Sequence, residues 1–521
     1  MTASATPRLG RLVVALVGTV LTLVGAGCGG SSSSSGSSGS AGSPVHGGTL
    51  RIAQVRDPES MDPTATYANE SILVLKNLYE MLYDSTTNGQ GFVPMLATSY
   101  TLSPNKLAWT FHLRPGVEFA NGKPMTSADV KFSFERASRK QSVWAFIDDA
   151  ISSITTPNPE TVVFHTRVPT ADMLAIVSLY GNSVIPDNYG GETEKQFFAH
   201  PIGTGPFVFQ SWTRGQSLSA TRNPHYWQKG KPHLDKVVWS VVPDNSTRFL
   251  QLQGGQIDVD EFPAFSQLQQ ISSSPGVKLV SVPSTRVDMI LFNQKVKPFQ
   301  DIHVRKAINF AINRAALVHA ALFGHGTPAG SFLAPNIPLA TAVAPPSFDL
   351  TAAKAEMAKS TVPNGFSTTL NISAGSATDD AIGQVVQQEL APLNIHVTIQ
   401  KLDPSTWFGN IVAYKYDMST VYFNTDIADS SELVQQVAGT NGIWTGWKDA
   451  ALVKIANDGA RPFSLATRKA MYAEFVNGFA ASYATAPLFQ SPWVYAVSNK
   501  VQNFNVLLTG NYHLSDIWLS K

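Results

Sequence analysis

Few residues in this chain have the type and spacing that chemistry needs. Cys28 is the only cysteine in 521 residues, so no intrachain disulfide can form and the thiol needs another use. The eleven histidines are scattered. His319 and His325 come nearest to a metal pair, but a six-residue spacing puts them on different faces of a helix, and no metal site is expected. Residues 116–123 imitate a phosphate loop, yet five residues rather than four separate Gly116 from Gly122, and Pro124 occupies the Ser/Thr position. Neither His-Glu-x-x-His nor Cys-x-x-Cys occurs, and the body has no Gly-x-Ser-x-Gly elbow. Carboxylates remain: Asp379 beside Asp380, and Asp426 near Asp429. Such pairs can run acid/base chemistry, begin a helix or receive a cationic group of a ligand. With no partner constellation around them, the last two readings are kept. Trp144, Trp407, Trp444 and Trp447 fall in expected loops, where large rings near a cleft suit burial of a small ligand, and core packing is the alternative for each.

These residues sit on three kinds of segment. Arg8 and Arg11 precede an apolar run over residues 12–24, which reads as an export signal, 1–27, and is shorter than the roughly 20 apolar residues of a membrane span. Small residues then lead into Cys28. Val24-Gly25-Ala26-Gly27-Cys28 resembles the bacterial lipoprotein processing site, which makes Cys28 the expected lipidated N-terminus on the outer face of the cytoplasmic membrane. Gly25 departs from that pattern, which prefers Leu. Residues 28–43 are almost wholly Gly and Ser after the cysteine, a composition that buries no apolar area and acts as a flexible tether.

The body from residue 44 onward is long enough for two or three domains. The chain carries 38 basic and 37 acidic residues, and without Arg8 and Arg11 the balance is 36 to 37, so the clustered positive charge that binds nucleic acid is lacking. Strand and helix periods alternate. Strands are expected at 49–53, 109–114, 237–242, 277–282 and 289–292, and helices at 71–83, 126–136, 305–323 and 378–393. Thr126 or Ser127 opens the second helix as its N-cap. The fold class is therefore α/β, with no solenoid or propeller repeat.

Many local motifs occur in a fixed order: Gly47-Gly48-Thr49-Leu50-Arg51, Ser60-Met61-Asp62-Pro63, Trp109-Thr110-Phe111-His112-Leu113-Arg114-Pro115-Gly116, Asn121-Gly122-Lys123-Pro124, Gly203-Thr204-Gly205-Pro206-Phe207, Arg222-Asn223-Pro224-His225-Tyr226-Trp227 and Val304-Arg305-Lys306-Ala307-Ile308-Asn309. Collinear over about 450 residues, they resemble the peptide- and nickel-type (family 5) extracellular solute-binding proteins of ABC importers, among them oligopeptide- and dipeptide-binding proteins. Of these, Asn223-Pro224 and Pro115-Gly116 also read as turns, and Gly203-Thr204-Gly205-Pro206 as a backbone crossing rather than a phosphate cradle.

The resemblance implies a type II periplasmic-binding-protein-like fold of two lobes joined by a hinge. Lobe I would be 44–284 plus 497–521, with an appended subdomain at about 91–200, and lobe II 285–496, the chain crossing near 283–289 and 486–497. It implies no catalysis and no cofactor, a monomer that delivers a peptide or other small solute to ABC permease subunits, and closure on the ligand. Nickel chelates, haem and oligosaccharides are alternative ligands within the fold. A structural lipoprotein or a hydrolase would be the alternative outside it. Tyr416-Asp417 followed by 420–433 resembles the segment whose Asp receives a peptide's α-amino group, at Asp426, with Asp429 as rival and capping of a helix near Ser430 as the competing role. Tyr422, Phe423, Asn424, Trp407, Asn441, Trp444, Trp144 and Ser60 are the other expected ligand contacts. Relatives often use a lobe II Arg for the peptide carboxylate, whereas no Arg lies between Arg314 and Arg461; Lys401, Lys415 or Lys448 could stand in as a point charge.

Overall fold

A computed structural model of the chain describes residues 43–521. Residues 1–27, read as an export signal, Cys28, and nearly all of the segment read as a tether lie outside them. No helix among the described residues is long and apolar enough to cross a membrane.

The body opens with β1 (Thr49–Gln54), whose Leu50, Ile52 and Ala53 are fully buried, and α1 (Asn69–Leu78). The helical pattern read as far as Tyr83 stops five residues earlier. The Leu78 carbonyl is taken by the Gly205 N–H at 3.0 Å, and Tyr83 starts a short strand instead. This contact explains the two glycines: a Cβ on Gly203 would lie 2.1 Å from the Leu78 carbonyl oxygen, and one on Gly205 2.6 Å from its carbon.

An antiparallel sheet follows, ordered β2-β3-β5-β4: β2 (Ala97–Leu102), β3 (Ala108–Leu113), β4 (Ile151–Asn158) and β5 (Thr161–Thr166). Against it packs α2 (Ser127–Ala137), begun by a reciprocal cap between Thr126 and Asp129. Trp109, Phe111, Phe134 and Phe164 centre the core between them.

The chain then builds the main sheet through β6 (Phe207–Thr213), β7 (Ser217–Arg222), β8 (Lys236–Val241), β9 (Val259–Glu261) and β10 (Val277–Phe292). The two strands expected at 277–282 and 289–292 are one. A bulge between Pro283 and Val287 absorbs the irregular residues without breaking the pairing. The helix expected over 305–323 is two, α3 (Ile302–Ala311) and α4 (Arg314–Leu322). Asn313 caps the second through Ala316 N, and the buried Arg314 guanidinium draws off the carbonyls of Asn309 and Pro487.

Among the remaining elements are β11 (Phe366–Ser373), α5 (Ala377–Leu390), β12 (Ile395–Leu402), β13 (Met418–Phe423), α6 (Ser431–Gly439), α7 (Leu465–Ala481) and β14 (Thr485–Ser498). The eleven-stranded sheet runs β12-β11-β13-β10-β14-β9-β1-β8-β7-β6, with Thr327–Pro328 paired to β14. Its middle is the long antiparallel pair β10 and β14, from Val277 opposite Ser498 to Leu291 opposite Thr485. Alternate residues of β10 feed opposite faces. Ile290 and Phe292 join the core of α3, α4 and α5, while Val287, Met289 and Leu291 join that of α6 and α7.

Candidate ligand-binding site

Two sets of parallel strands flank the β10/β14 pair: β1 with β8 and β9, and β11 with β12 and β13. In α/β sheets, ligands bind beyond the carboxyl ends of such strands. Arg56, Glu59, Tyr67 and Glu70 follow β1. Residues 424–432 follow β13, and the first turn of α5 follows β11.

The segment after β13 is held rigidly by its own carboxylates. Glu432, 2% exposed, accepts through Oε2 from Thr425 Oγ1 at 2.6 Å, Asp426 N at 2.8 Å and Ile427 N at 3.1 Å. Asp429 Oδ1 accepts from Ser431 N at 2.9 Å and Arg468 Nη2 at 2.7 Å. The helix-start role considered for Asp426 thus belongs to Asp429, which is also spent on an arginine. The Asp426 carboxylate receives no hydrogen bond from the described residues. Burial and the neighbouring Glu432 push its pKa well above the carboxylate range, Lys76 opposing weakly, and Glu432 is raised to about 7. The same two charges push up the Tyr67 hydroxyl to about 12, after burial, and the Tyr180 hydroxyl too.

The expected aromatic contacts divide into groups. Trp144 is 1% exposed, edge-on to Tyr67 at 4.7 Å and to Tyr180 at 5.2 Å. It therefore backs the site and does not line it, and the exposed ring there is Tyr67, which sequence reasoning missed. Phe423 is buried and packs with Trp444 at 6.3 Å; Trp444 meets Phe408, and Phe408 meets Trp407. Asn441, exposed with φ 51°, reaches only the Tyr414 hydroxyl. These residues gather on the Phe423 side of β13. Tyr422 projects to the other face and is 38% exposed. Asn424 is half-buried in the loop between Phe423 and Asp426. Ser60 accepts the Asp62 N–H at 2.9 Å, setting a turn.

Beside Tyr422 stands the cation that the interval after Arg314 lacks. The Arg286 guanidinium lies 3.8 Å from the Tyr422 ring centre and forks onto Asp288 at 2.9 and 2.6 Å. Burial disfavours its charge, but Asp288 more than compensates, and its pKa is raised. It comes from the bulge in β10, upstream of the interval where a carboxylate partner was sought. Lys401 instead pairs with Asp380 at 2.6 Å, and Lys415 and Lys448 are exposed. Asp379, in the first turn of α5, is raised to about 6 by burial and by Asp288. From the other side Arg56 pairs with Glu70 at 3.0 Å. No group of three His, Cys, Asp or Glu among the described residues could hold a metal ion. A cavity of about 920 Å³ opens beside the bulge, lined in part by Val282, Pro283, Pro338, Lys469 and Leu507; Ser430 Oγ donates to the Pro338 carbonyl at 2.7 Å.

Paired charges thus gather at the carboxyl ends of these strands beside the Asp426 carboxylate, which no described residue bonds, an arrangement that suits capture of a charged solute. Residues 91–444 match the family described as bacterial extracellular solute-binding proteins, family 5, middle region. The chain belongs to that family. This family 5 protein is an extracytoplasmic substrate-binding protein of an ABC transporter and not an enzyme. It is 31% identical over 347 residues to the glutathione-binding protein GsiB of Salmonella typhi, covering 66% of this chain and 67% of the relative. Among solved structures, it is similar to the ABC transporter-associated periplasmic binding protein DppA of Helicobacter pylori in complex with the peptide STSA. The TM-score is 0.83 and the identity 26%, over 92% of this chain and 99% of that one. The binding protein AgaA of A. tumefaciens R10, in complex with agropinic acid, gives a TM-score of 0.81 at 26% identity, over 91% and 99%.

Proposed function

We propose that this protein is a lipid-anchored receptor for short peptides, or for peptide-like solutes with a free amine, which it encloses between two lobes. The lobes are 44–284 plus 497–521, with the subdomain at about 91–200, and 285–496. β10 and β14 carry the chain between them, and the bulge at Pro283 is the hinge. The observation that carries the ligand class is the half-buried Asp426 carboxylate, which has a second acid beside it and no donor from a loop whose neighbouring amides and Thr425 hydroxyl are taken by Glu432. A buried charge costs several kcal/mol unless paired, so the natural partner is an ammonium arriving with the ligand, over the exposed Tyr67 ring. Arg286, with Tyr422 on its face, is the candidate for the ligand's carboxylate. Two of the relatives agree in kind, glutathione and STSA both bearing a free amine and a carboxylate, while the agropinic acid of the third brings a carboxylate without an amine.

Because a ligand shifts an equilibrium only by its difference in affinity for the two states, contacts from both lobes are required. Cys28 would carry the lipid and residues 29–43 the tether, keeping the receptor beside its permease. Mass spectrometry of the solute that co-purifies, followed by calorimetry with that solute, glutathione and a set of di- and tripeptides, tests the reading. A free-amine peptide binding at micromolar concentration or tighter supports it. A haem, a nickel chelate or a neutral sugar as the sole bound solute would overturn it.

A further inference from the structure

Away from Asp426, residues of the N-terminal subdomain meet the 427–468 region directly. Ala171 N donates to the Ala460 carbonyl at 2.8 Å. The Phe463 ring stacks on Trp109 at 6.1 Å, and the Lys106 ammonium lies 4.7 Å from its centre. Ile427, one residue past Asp426 and 2% exposed, is part of the core cluster of the β2–β5 sheet. At the centre of this contact is Asp172. It is 5% exposed, caps nothing with its side chain although it occupies the cap position of the short helix Met173–Ile176, and its Oδ1 has no hydrogen-bond partner. The groups facing it are Asp429 from the ligand loop, the Ser431 hydroxyl at the start of α6, and Arg468 and Tyr472 from α7. Arg468 is already bonded to Asp429 at 2.7 Å, to the Tyr472 hydroxyl at 3.1 Å and to the Gly459 carbonyl at 3.3 Å.

We propose that Asp172 is a positioning residue of the receptor: through Arg468 and Asp429 it seats the ligand loop against the subdomain, and it does so most firmly when it carries a proton. The inference rests on the two-lobe reading above, not on which solute binds. One guanidinium facing two buried carboxylates leaves a surplus negative charge, which the interior penalises. A protonated Asp172 removes that charge. Burial, and after it the Asp429 charge, raise its pKa to about 6. Separated lobes would return it to solvent and to about 3.9. The closed form therefore holds the proton more tightly, so closure is favoured as pH falls through 6. Between pH 7.5 and 5.0 the linkage amounts to about a tenfold change in the closed-to-open ratio.

The Ala171 amide reports on the contact, since its acceptor belongs to the other lobe. Hydrogen exchange of the full chain without ligand, followed over residues 169–173 and corrected for intrinsic pH dependence, should show about tenfold more protection at pH 5.0 than at 7.5. Asp172→Asn, which imitates the protonated acid, should keep high protection at both values. Phe463→Ala weakens the contact without touching the charges, and should lower protection at both values while preserving the ratio. Protection that is pH-independent in the wild type, or an Asp172→Asn variant with the wild-type pH dependence, would overturn the proposal. Since no ligand is added, peptides that fail to bind would refute the ligand reading and leave this result standing.

Discussion

Replacing Asp426 by Asn removes the group that can ionise against an arriving ammonium and little else. The loop does not lean on that carboxylate: Glu432 takes Thr425 Oγ1 and the amides of residues 426 and 427, and Asp429 takes Ser431 N and Arg468. The variant should therefore melt with the wild type. A hydrogen bond from an ammonium to a charged acceptor is worth about 1.5–3 kcal/mol, so affinity for a free-amine peptide should fall about 10- to 150-fold. N-acetylation of the peptide should cost the wild type that much and the variant far less. The pH dependence has a definite sign. Burial and Glu432 raise the Asp426 pKa in the empty site, and an ammonium lowers it again, so binding expels a proton and strengthens as pH rises. Calorimetry at neutral pH in two buffers of different ionisation enthalpy counts that proton. Equal losses on acetylation in both proteins, or no proton release by the wild type, would refute the reasoning.

Gly203→Ala should destabilise the fold by about 1–3 kcal/mol, read as a lower urea midpoint, because its Cβ would meet the Leu78 carbonyl oxygen at 2.1 Å. Glu261 is fully buried against the Tyr512 hydroxyl with its pKa raised to about 8, burial being the main cause. The folded state holds that proton more tightly than the unfolded chain, so its stabilising effect is complete below the unfolded value of about 4.3 and is lost as pH rises towards 8. Glu261→Gln should flatten the fall in melting temperature between pH 5 and 8. Cys28→Ser should release the protein from membranes and accumulate the unprocessed form; membrane retention equal to wild type would count against lipidation.

Sequence reasoning succeeds where one local rule acts alone. The alternation of β1 and the Thr126–Asp129 cap give their elements to within a residue. It fails where a distant group intervenes. α1 ends early because Gly205 takes a carbonyl from a segment over 120 residues away, and the helix read over 305–323 breaks at an Asn cap beside a buried arginine. The site follows the same division. Tyr422, at the end of β13, and Asn424 and Asp426, in the loop after it, are adjacent in sequence, so a local resemblance is enough to propose them together. Trp144 looks like a loop aromatic but is core, and the ring it supports, Tyr67, carries no motif of its own. Arg286 escaped because it stands in a strand bulge, brought to Tyr422 by the pairing of β10 with β13.

A receptor of this kind works by closing its lobes on the ligand. Small-angle scattering of the solubilised protein, with and without a saturating peptide whose binding calorimetry has established, measures it directly. A smaller radius of gyration is expected with peptide bound, and an unchanged radius at saturation would rule out closure.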